Sequence, residues 1–351
     1  MYKGGCVLEL LKTLSELNGV SGDEDDVRAY ILDKISPYCT GEVDRLGNII
    51  AFKQGAKRAS KKIVFEAHMD ETGHVVTAID DKGCLHFLSN GVPLNVTPGK
   101  FVRVRATRDG ERWLDGVIGL APVHLTKKSE ISKIPEQKDL VIDIGAKNKK
   151  DAEKYVIEGD YVYFNTKAGR VGNYFKGKAI DDRVGCAAMI NMITQDLEFD
   201  SYFAFCVQEE VGLKGSSVAC AAVKPDYAII LEGTTAADIG GTPDHKKVCN
   251  LGGGVAVSFA DKRTLYKPEL VSLALETAKE NNITAQIKTY ISGGTDAACW
   301  QHESGASNVL TLSVPVRYLH SRASLACEDD ADAMEKLAIK LLEKINTLKL
   351  D

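Results

Sequence analysis

The sequence contains no Cys-x-x-Cys pair, and its nine cysteines are scattered and odd in number. Several lie in apolar stretches, as Cys206 does within residues 203–207. This pattern argues against a disulfide framework and against a zinc ribbon. It predicts reduced, buried thiols in a cytoplasmic protein.

Long apolar runs are also missing. No stretch approaches the ~18 apolar residues that a membrane span needs, and residues 1–16 lack the basic-then-apolar order of a signal peptide. The net charge of −5 provides no excess of positive charge for nucleic acid or for an anionic membrane. We therefore expect neither nucleic acid nor a membrane among the partners.

The chain does contain a regular succession of apolar strand-like and helix-like segments. Its 351 residues, 44% of them hydrophobic and 26% charged, are typical of a globular protein with room for two domains. Strands are predicted at residues 63–65, 202–207, 228–231 and 309–312, and helices at residues 7–18, 184–194, 268–281 and 331–347. This alternation predicts an α/β fold, with a sheet covered by helices.

Residues from about 75 to 165 have a different pattern. The segment is rich in turns and in strand-like stretches, at residues 101–105, 140–144 and 161–164, and has little helical periodicity. The simplest interpretation is a small β domain inserted between two halves of the α/β domain.

Acidic and imidazole side chains follow three of the predicted strands. His68 and Asp70 come after the first, Glu209 and Glu210 after the second, and Glu232 after the third. Because ligands bind beyond the carboxyl ends of strands in open α/β sheets, these groups are expected to converge on one pocket. Neighbouring carboxylates repel each other unless a cation or a proton intervenes, so a metal is the natural resolution.

Each signal also has an ordinary interpretation. A single histidine after a strand is most often a core or surface residue, and a Glu-Glu pair is usually solvated surface. The Asp181-Asp182 pair precedes a predicted helix, where acidic residues commonly act as caps. The coincidence of these groups at strand ends is what favours a shared site.

The spacing within these segments suggests a division of work. Residues two apart on an extended segment point to the same side, so Asp70 could hold the imidazole of His68 in one tautomer. A carboxylate at the turn of Asp181 could bridge two cations. The adjacent Glu209 and Glu210 have diverging side chains, so one could bind a metal while the other accepts a proton from metal-bound water.

At these residues the sequence resembles the M42 family of co-catalytic metallo-aminopeptidases, which includes glutamyl aminopeptidases and tetrahedral aminopeptidases. The resemblance extends in order over essentially the whole chain. The matching segments are Gly19-Val20-Ser21-Gly22, residues 44–48, residues 66–73, residues 178–185, residues 207–215, Gly293-Gly294-Thr295-Asp296-Ala297 and residues 315–321.

The resemblance implies a role for each of the residues singled out. Five residues are expected to bind two divalent cations, zinc or cobalt, with manganese also suited to such ligands: His68, Asp181, Glu210, Glu232 and His320. His68 and Glu232 would bind one cation, Glu210 and His320 the other, and Asp181 would bridge both. Many family members have Asp where this chain has Glu232.

Catalysis would depend on two further residues. The resemblance implies that Glu209 is the general base, with metal-bound water as the nucleophile, and that Asp70 orients His68. The implied reaction is the removal of N-terminal residues from short peptides. His86, His124 and His302 match no family segment and are interpreted as structural or surface residues.

The resemblance further implies a zinc-peptidase-like catalytic domain formed by residues 1–73 and 167–351. Residues 74–166 would form a β-rich dimerisation domain, and dimers of this family often assemble into tetrahedral dodecamers. Two alternatives remain open. Some family members carry endoglucanase names, although glycoside hydrolysis usually needs a carboxylate pair without bridging cations, and a non-catalytic scaffold would keep the fold alone. The sequence leaves the preferred N-terminal residue open.

Overall fold

The computed structural model describes residues 7–126, 129, 132–303 and 307–347. Its helices are α1 Val7–Glu16, α2 Asp25–Ile35, α3 Lys149–Ala152, α4 Ile180–Thr194, α5 Lys214–Val223, α6 Pro268–Glu280, α7 Ala297–His302 and α8 Glu328–Thr347. The first nine strands are β1 Thr40–Val43, β2 Ile49–Lys53, β3 Ile63–His68, β4 Gly73–Ile79, β5 Leu85–Asn90, β6 Phe101–Ala106, β7 Arg112–Leu120, β8 Leu140–Asp143 and β9 Tyr161–Phe164. The others are β10 Gly169–Val171, β11 Tyr174–Gly177, β12 Ser201–Cys206, β13 Tyr227–Thr235, β14 Val255–Val257, β15 Ala285–Ile287, β16 Asn308–Arg317 and β17 Ser324–Ala326.

The larger unit is an eleven-stranded mixed sheet with the order β1-β2-β12-β3-β13-β16-β17-β11-β10, to which β14 and β15 are added beside β16. The four central strands β12, β3, β13 and β16 are parallel. The outer strands pair antiparallel with their neighbours, except that β15 runs parallel to β14. The α/β prediction is confirmed. The carboxyl ends of the four parallel strands lie side by side at one edge.

Helix α4 is the central helix of this unit. It contacts β3 and β13 on one side and α1 and α8 on the other. Nearly all of its residues are buried, including the run from Val184 to Ile193. A helix that is apolar on all faces can be accommodated only between two layers, so α4 sits inside the core, between the sheet and the outer helices.

The inserted segment forms a closed antiparallel barrel with the order β4-β5-β8-β7-β6-β9. Its interior is filled by apolar side chains that alternate with outward-facing ones along the strands, as Val102 and Val104 do on β6. The barrel confirms the expected small β domain. Its predicted role in subunit contact stays a prediction.

An ion pair joins the barrel to the α/β unit. Arg105 on β6 donates from Nη1 to both carboxylate oxygens of Asp23, at 2.7 and 2.8 Å, and the hydroxyl of Tyr163 on β9 donates to the same carboxylate. Asp23 lies just before α2. This contact fixes the side of the barrel that faces the first helices.

The eight described cysteines form no disulfide. Five of them are buried and three are partly buried, and Cys6 lies outside the described residues. None of the helices in the described ranges combines the length and the apolar character that crossing a membrane requires.

A buried ionic network lies beneath the edge of the sheet where the parallel strands end. Glu71 accepts hydrogen bonds from Lys178 and from the backbone N–H of Gly19, the latter at 3.1 Å. Arg183 on α4 donates to the carbonyl oxygens of Met69 and Leu14, both at 2.7 Å. These contacts tie the end of β3, the end of α1 and the start of α4 together.

The same network carries charge in a place that excludes water. Glu71 is 3% exposed, Lys178 2% and Arg183 0%, and burial lowers the pKa of Lys178 although the Glu71 carboxylate opposes that shift. Removing one partner of such a pair leaves an uncompensated buried charge, which is much more costly than breaking a surface pair.

We expect Glu71→Gln to lower the free energy of unfolding by about 3–5 kcal/mol, because Lys178 and Arg183 would lose their buried counter-charge. The matched control is Glu198→Gln, which removes the same group from the exposed ion pair with Lys57 and should cost no more than about 1 kcal/mol. Urea unfolding of both variants measures the difference. Equal costs for the two would show that the network is not a stabilising element.

Candidate metal centre

The first pair of expected ligands lies on neighbouring parallel strands. His68 is the last residue of β3, and Glu232 lies within β13, two residues beyond the last paired positions, Ile230 and Glu66. His68 Nε2 and Glu232 Oε1 are 3.6 Å apart. Glu232 was expected after its strand, but β13 continues to Thr235 because β16 pairs with it over its whole length.

Asp181 stands between two histidines. Its Oδ1 is 3.3 Å from His68 Nε2, and its Oδ2 is 3.5 Å from His320 Nε2. The same nitrogen of His320 lies 3.3 Å from Glu210 Oε1. The structure thus brings all five expected ligands together, with the Asp181 carboxylate facing the His68–Glu232 pair on one side and the Glu210–His320 pair on the other.

The backbone around Asp181 is adapted to this position. Asp181 and Asp182 have non-helical torsion angles at the start of α4. Gly233 on β13 allows the close approach, because a Cβ there would lie 2.9 Å from the Cα of Asp181. Asp182 points away into the protein, where its carboxylate accepts the backbone N–H groups of His68 at 3.2 Å and Gly185 at 3.0 Å.

Asp70 lies behind the expected ligands and contacts more than one of them. Its Oδ1 is 3.2 Å from His68 Nδ1, as the sequence pattern suggested. It also accepts the backbone N–H groups of Glu209 at 2.9 Å and Glu210 at 3.2 Å, and the hydroxyl of Ser21 at 2.6 Å. One fully buried carboxylate therefore positions both the histidine and the Glu209-Glu210 segment, a link that the sequence did not reveal.

Glu209 and Glu210 are placed differently despite being adjacent. Glu210 is within 3.3 Å of His320. A carboxylate oxygen of Glu209 lies within 4.8 Å of the His68 and Glu210 ligand atoms, yet the Glu209 carboxylate makes no hydrogen bond or ion pair with any of the described residues. It lines the pocket beside the cluster.

The charges of this cluster shift the pKa values of its members in opposite directions. Burial disfavours protonated His320, but Asp181 and Glu210 raise its pKa to about 9. Burial acts to raise the pKa of Asp181, but the two histidines outweigh this effect and lower it. Burial raises the pKa of Glu210 to about 7 and that of Glu209 well above its usual value. A cation bound here would favour the charged form of each carboxyl group.

The donor set fits divalent cations. The ligand atoms of Asp181, Glu210 and His320 all lie within 4.8 Å of one another, and His68 Nε2 lies 3.3 Å from Asp181 Oδ1 and 3.6 Å from Glu232 Oε1. The Oε1 atom of Glu232 is buried and lacks a hydrogen-bond partner among the described residues. A mixture of imidazole and carboxylate oxygen is the chemistry of zinc, cobalt and manganese sites.

The cavity beside the cluster has a volume of about 320 Å³. It is lined by the cluster and also by Lys288, Arg263 and the segment 292–295. Lys288 is only 3% exposed. Neither the Lys288 nor the Arg263 side chain forms an ion pair with a described carboxylate. Sequence reasoning missed both residues, because neither lies in a recognisable motif. His86, His124 and His302 do not line this cavity.

Comparison with known proteins identifies relatives over nearly the full length. A family profile described as M42 glutamyl aminopeptidase matches residues 47–337. A protein of Acetivibrio thermocellus that carries an aminopeptidase name is 36% identical, over 96% of this chain and 98% of its own length. A lysyl aminopeptidase of Pyrococcus furiosus is 32% identical, over 97% and 98% respectively.

Solved structures agree with these relatives. An aminopeptidase of Desulfurococcus kamchatkensis superposes with a TM-score of 0.90 at 33% identity, covering 96% of this chain and 94% of that one. The TET1 peptidase of Pyrococcus horikoshii, which can assemble into a tetrahedron or a large octahedral shell, has a TM-score of 0.83 at 33% identity over 96% and 99%. A structure from Thermotoga maritima is named an endoglucanase. It has a TM-score of 0.78 at 35% identity, covering 96% of this chain and 97% of that one. By sequence profile, identity and fold, this chain belongs to the M42 aminopeptidase family.

Proposed function

We propose that the protein is an aminopeptidase that uses two divalent cations to remove N-terminal residues from short peptides. The observation that carries this proposal is the position of Asp181, whose two carboxylate oxygens face the histidines of two separate ligand sets. His68 and Glu232 would hold one cation, and Glu210 and His320 the other, with Asp181 shared. When bound, such a pair of ions lowers the pKa of water and polarises a carbonyl group.

The residues of the chain itself supply the proton transfers and the orientation. The unpaired carboxylate of Glu209 beside the ligands is suited to take a proton from water and to pass it to the leaving amine. Burial raises the pKa of Glu209, which favours holding the proton between these two steps. The Asp70 carboxylate fixes the orientation of the His68 ring and the position of the Glu209 backbone, because it contacts both.

We expect Glu209→Gln to lower kcat by about 10²–10⁴-fold while the metal content stays near that of the wild type, because the amide keeps the shape but cannot accept the proton. Glu210→Gln is the matched comparison and should lose metal as well as rate. Metal analysis of the purified variants, together with kcat on an aminoacyl p-nitroanilide, separates the two. Near-normal kcat in Glu209→Gln would refute its role as the base.

Two other functions are less well supported. An endoglucanase would need a carboxylate pair free to act on a glycosidic bond, whereas Asp181 and Glu210 both lie against histidines. A scaffold without activity would have no reason to retain Glu209 and all five ligands in one cavity. Hydrolysis of a p-nitroanilide, tested beside a soluble cellulose derivative, distinguishes the three.

The charges of the cavity suggest which N-terminal residue it accepts. The buried Lys288 and the exposed Arg263 line the same cavity as the carboxylate cluster. A buried cation without a counter-ion is costly unless a ligand supplies the charge. An N-terminal glutamate or aspartate complements both kinds of charge, since its amine can pair with the carboxylates and its side chain with the two basic groups. We therefore propose a preference for acidic N-terminal residues.

For Lys288→Met we expect the ratio of kcat/KM for glutamyl to leucyl p-nitroanilide to fall about tenfold or more, because one charge-assisted hydrogen bond contributes roughly 1.5–3 kcal/mol. The control is Lys262→Met, which removes a charge from an exposed position outside the cavity lining. A ratio that is the same in wild type and both variants would contradict the assignment.

The barrel is proposed to mediate self-association into dimers and larger assemblies. Between β7 and β8 it exposes Leu125 (71%) and Ile134 (67%), two large apolar side chains of the kind that mark contact surfaces. The assemblies named for the TET1 peptidase of Pyrococcus horikoshii support this proposal. The free described thiols support the proposal of a cytoplasmic location.

In light scattering, the double variant Leu125→Asp/Ile134→Asp should give a smaller particle mass than the wild type, because buried charge would oppose the contact. Leu265→Asp serves as the control, since Leu265 is 76% exposed but belongs to the α/β unit. A double variant of unchanged mass would exclude this part of the barrel from the subunit contact.

A further inference from the structure

A second cleft lies directly beside the metal-centre cavity. It has a volume of about 820 Å³, compared with about 320 Å³ for the cavity itself. Its walls come from the barrel, from the segment that follows β9, from β11 and from the loop 318–323. Leu319 lines both spaces, so the cleft begins where the ligand cavity ends.

The cleft is strongly cationic. Four of its lining residues are basic, and none of the described residues that line it is acidic; the basic ones are Lys100, Lys167, Lys176 and Arg322. Lys167 pairs with Glu16 at 3.1 Å. The other three form no ion pair with a described residue, so their charge is available to a ligand.

The cleft also offers apolar contact. Phe101 is 56% exposed and Tyr318 is 54% exposed, and both line it. Arg322 is held in place by a hydrogen bond to the carbonyl oxygen of Asn165 at 3.3 Å, with its guanidinium group 5.8 Å from the Phe101 ring. A cationic surface that includes aromatic walls suits a short peptide with a negative charge better than it suits a bare anion.

The wall shared by the two spaces has a constrained backbone. Tyr318 and His320, which flank Leu319, both have positive φ angles, of 63° and 54°. Such conformations are unfavourable for residues with a side chain and persist where the surroundings fix them. The expected ligand His320 and the cleft wall therefore belong to one conformationally constrained segment, and a peptide that extends from the candidate metal centre past Leu319 would enter the cleft.

We propose that this cleft binds the C-terminal carboxylate of the peptide whose first bond lies at the metal centre. The inference rests on the proposed aminopeptidase function and extends it to the far end of the substrate. Its consequence is a preference for short peptides with a free carboxylate over the same peptides ending in a neutral amide.

The test compares a tripeptide Xaa-Ala-Ala with its C-terminal amide, where Xaa is the residue that the wild-type enzyme releases fastest as a p-nitroanilide. For the wild-type enzyme with its metal, kcat/KM should be about tenfold higher for the free acid, and raising the salt concentration should reduce this ratio. The double variant Lys100→Gln/Lys176→Gln should bring the ratio close to one.

The control is Lys82→Gln/Lys133→Gln, which removes two exposed charges outside the cleft and should keep the wild-type ratio. A wild-type ratio near one, or a ratio that survives the Lys100→Gln/Lys176→Gln change, would overturn the proposal. The proposal would also be overturned if Lys100→Gln/Lys176→Gln changed the particle mass but left the ratio of acid to amide kcat/KM unaltered, because the cleft would then be a subunit contact. Wild-type enzyme that releases no p-nitroaniline would instead refute the aminopeptidase function, and this inference with it.

Discussion

The buried carboxylate of Glu71 holds together the segments from which the candidate metal centre is built. It neutralises Lys178, lies 3.7 Å from the Arg183 guanidinium and accepts a hydrogen bond from the backbone after α1. Through Arg183 the same network reaches the carbonyl oxygen of Met69, between His68 and Asp70. Charges that are buried away from water in this way have few alternative partners, so they favour one arrangement of the segments that carry them.

Above this network, negative charge is concentrated at the edge of a sheet whose interior is apolar. The cost of grouping these carboxyl groups appears in opposing pKa shifts. The two histidines lower the pKa of Asp181, whereas burial raises the pKa values of Glu209, Glu210 and Glu232. Cations relieve this repulsion. Among the described residues, the basic side chains of the two neighbouring spaces form no ion pair with this cluster, and except for Lys167 they remain available to groups on a substrate.

Much of this arrangement could be predicted from the sequence, because its signals are local. The apolar strands that precede His68 and Glu209 are visible as short runs, and parallel strands bring their ends to one edge. The order of the strands in the sheet could not be predicted in the same way. β12 lies between β2 and β3, which are neighbours in the chain, and this order depends on pairing between distant parts of the sequence. Lys288 could not be found either, since its burial and its lack of a carboxylate partner among the described residues are properties of the folded chain.

The chain enters the barrel at a point very close to the candidate metal centre. Only Glu71 and Thr72 separate Asp70 from the first barrel strand, and the chain that returns from the barrel passes through β10 and β11 into Asp181 shortly after Gly177. The entering connection therefore starts at the residue that contacts His68, whereas the returning one first joins the edge of the large sheet. A mechanical load on the barrel, such as docking against a neighbouring molecule, would be transmitted to the geometry of the site mainly along the short tether at Asp70.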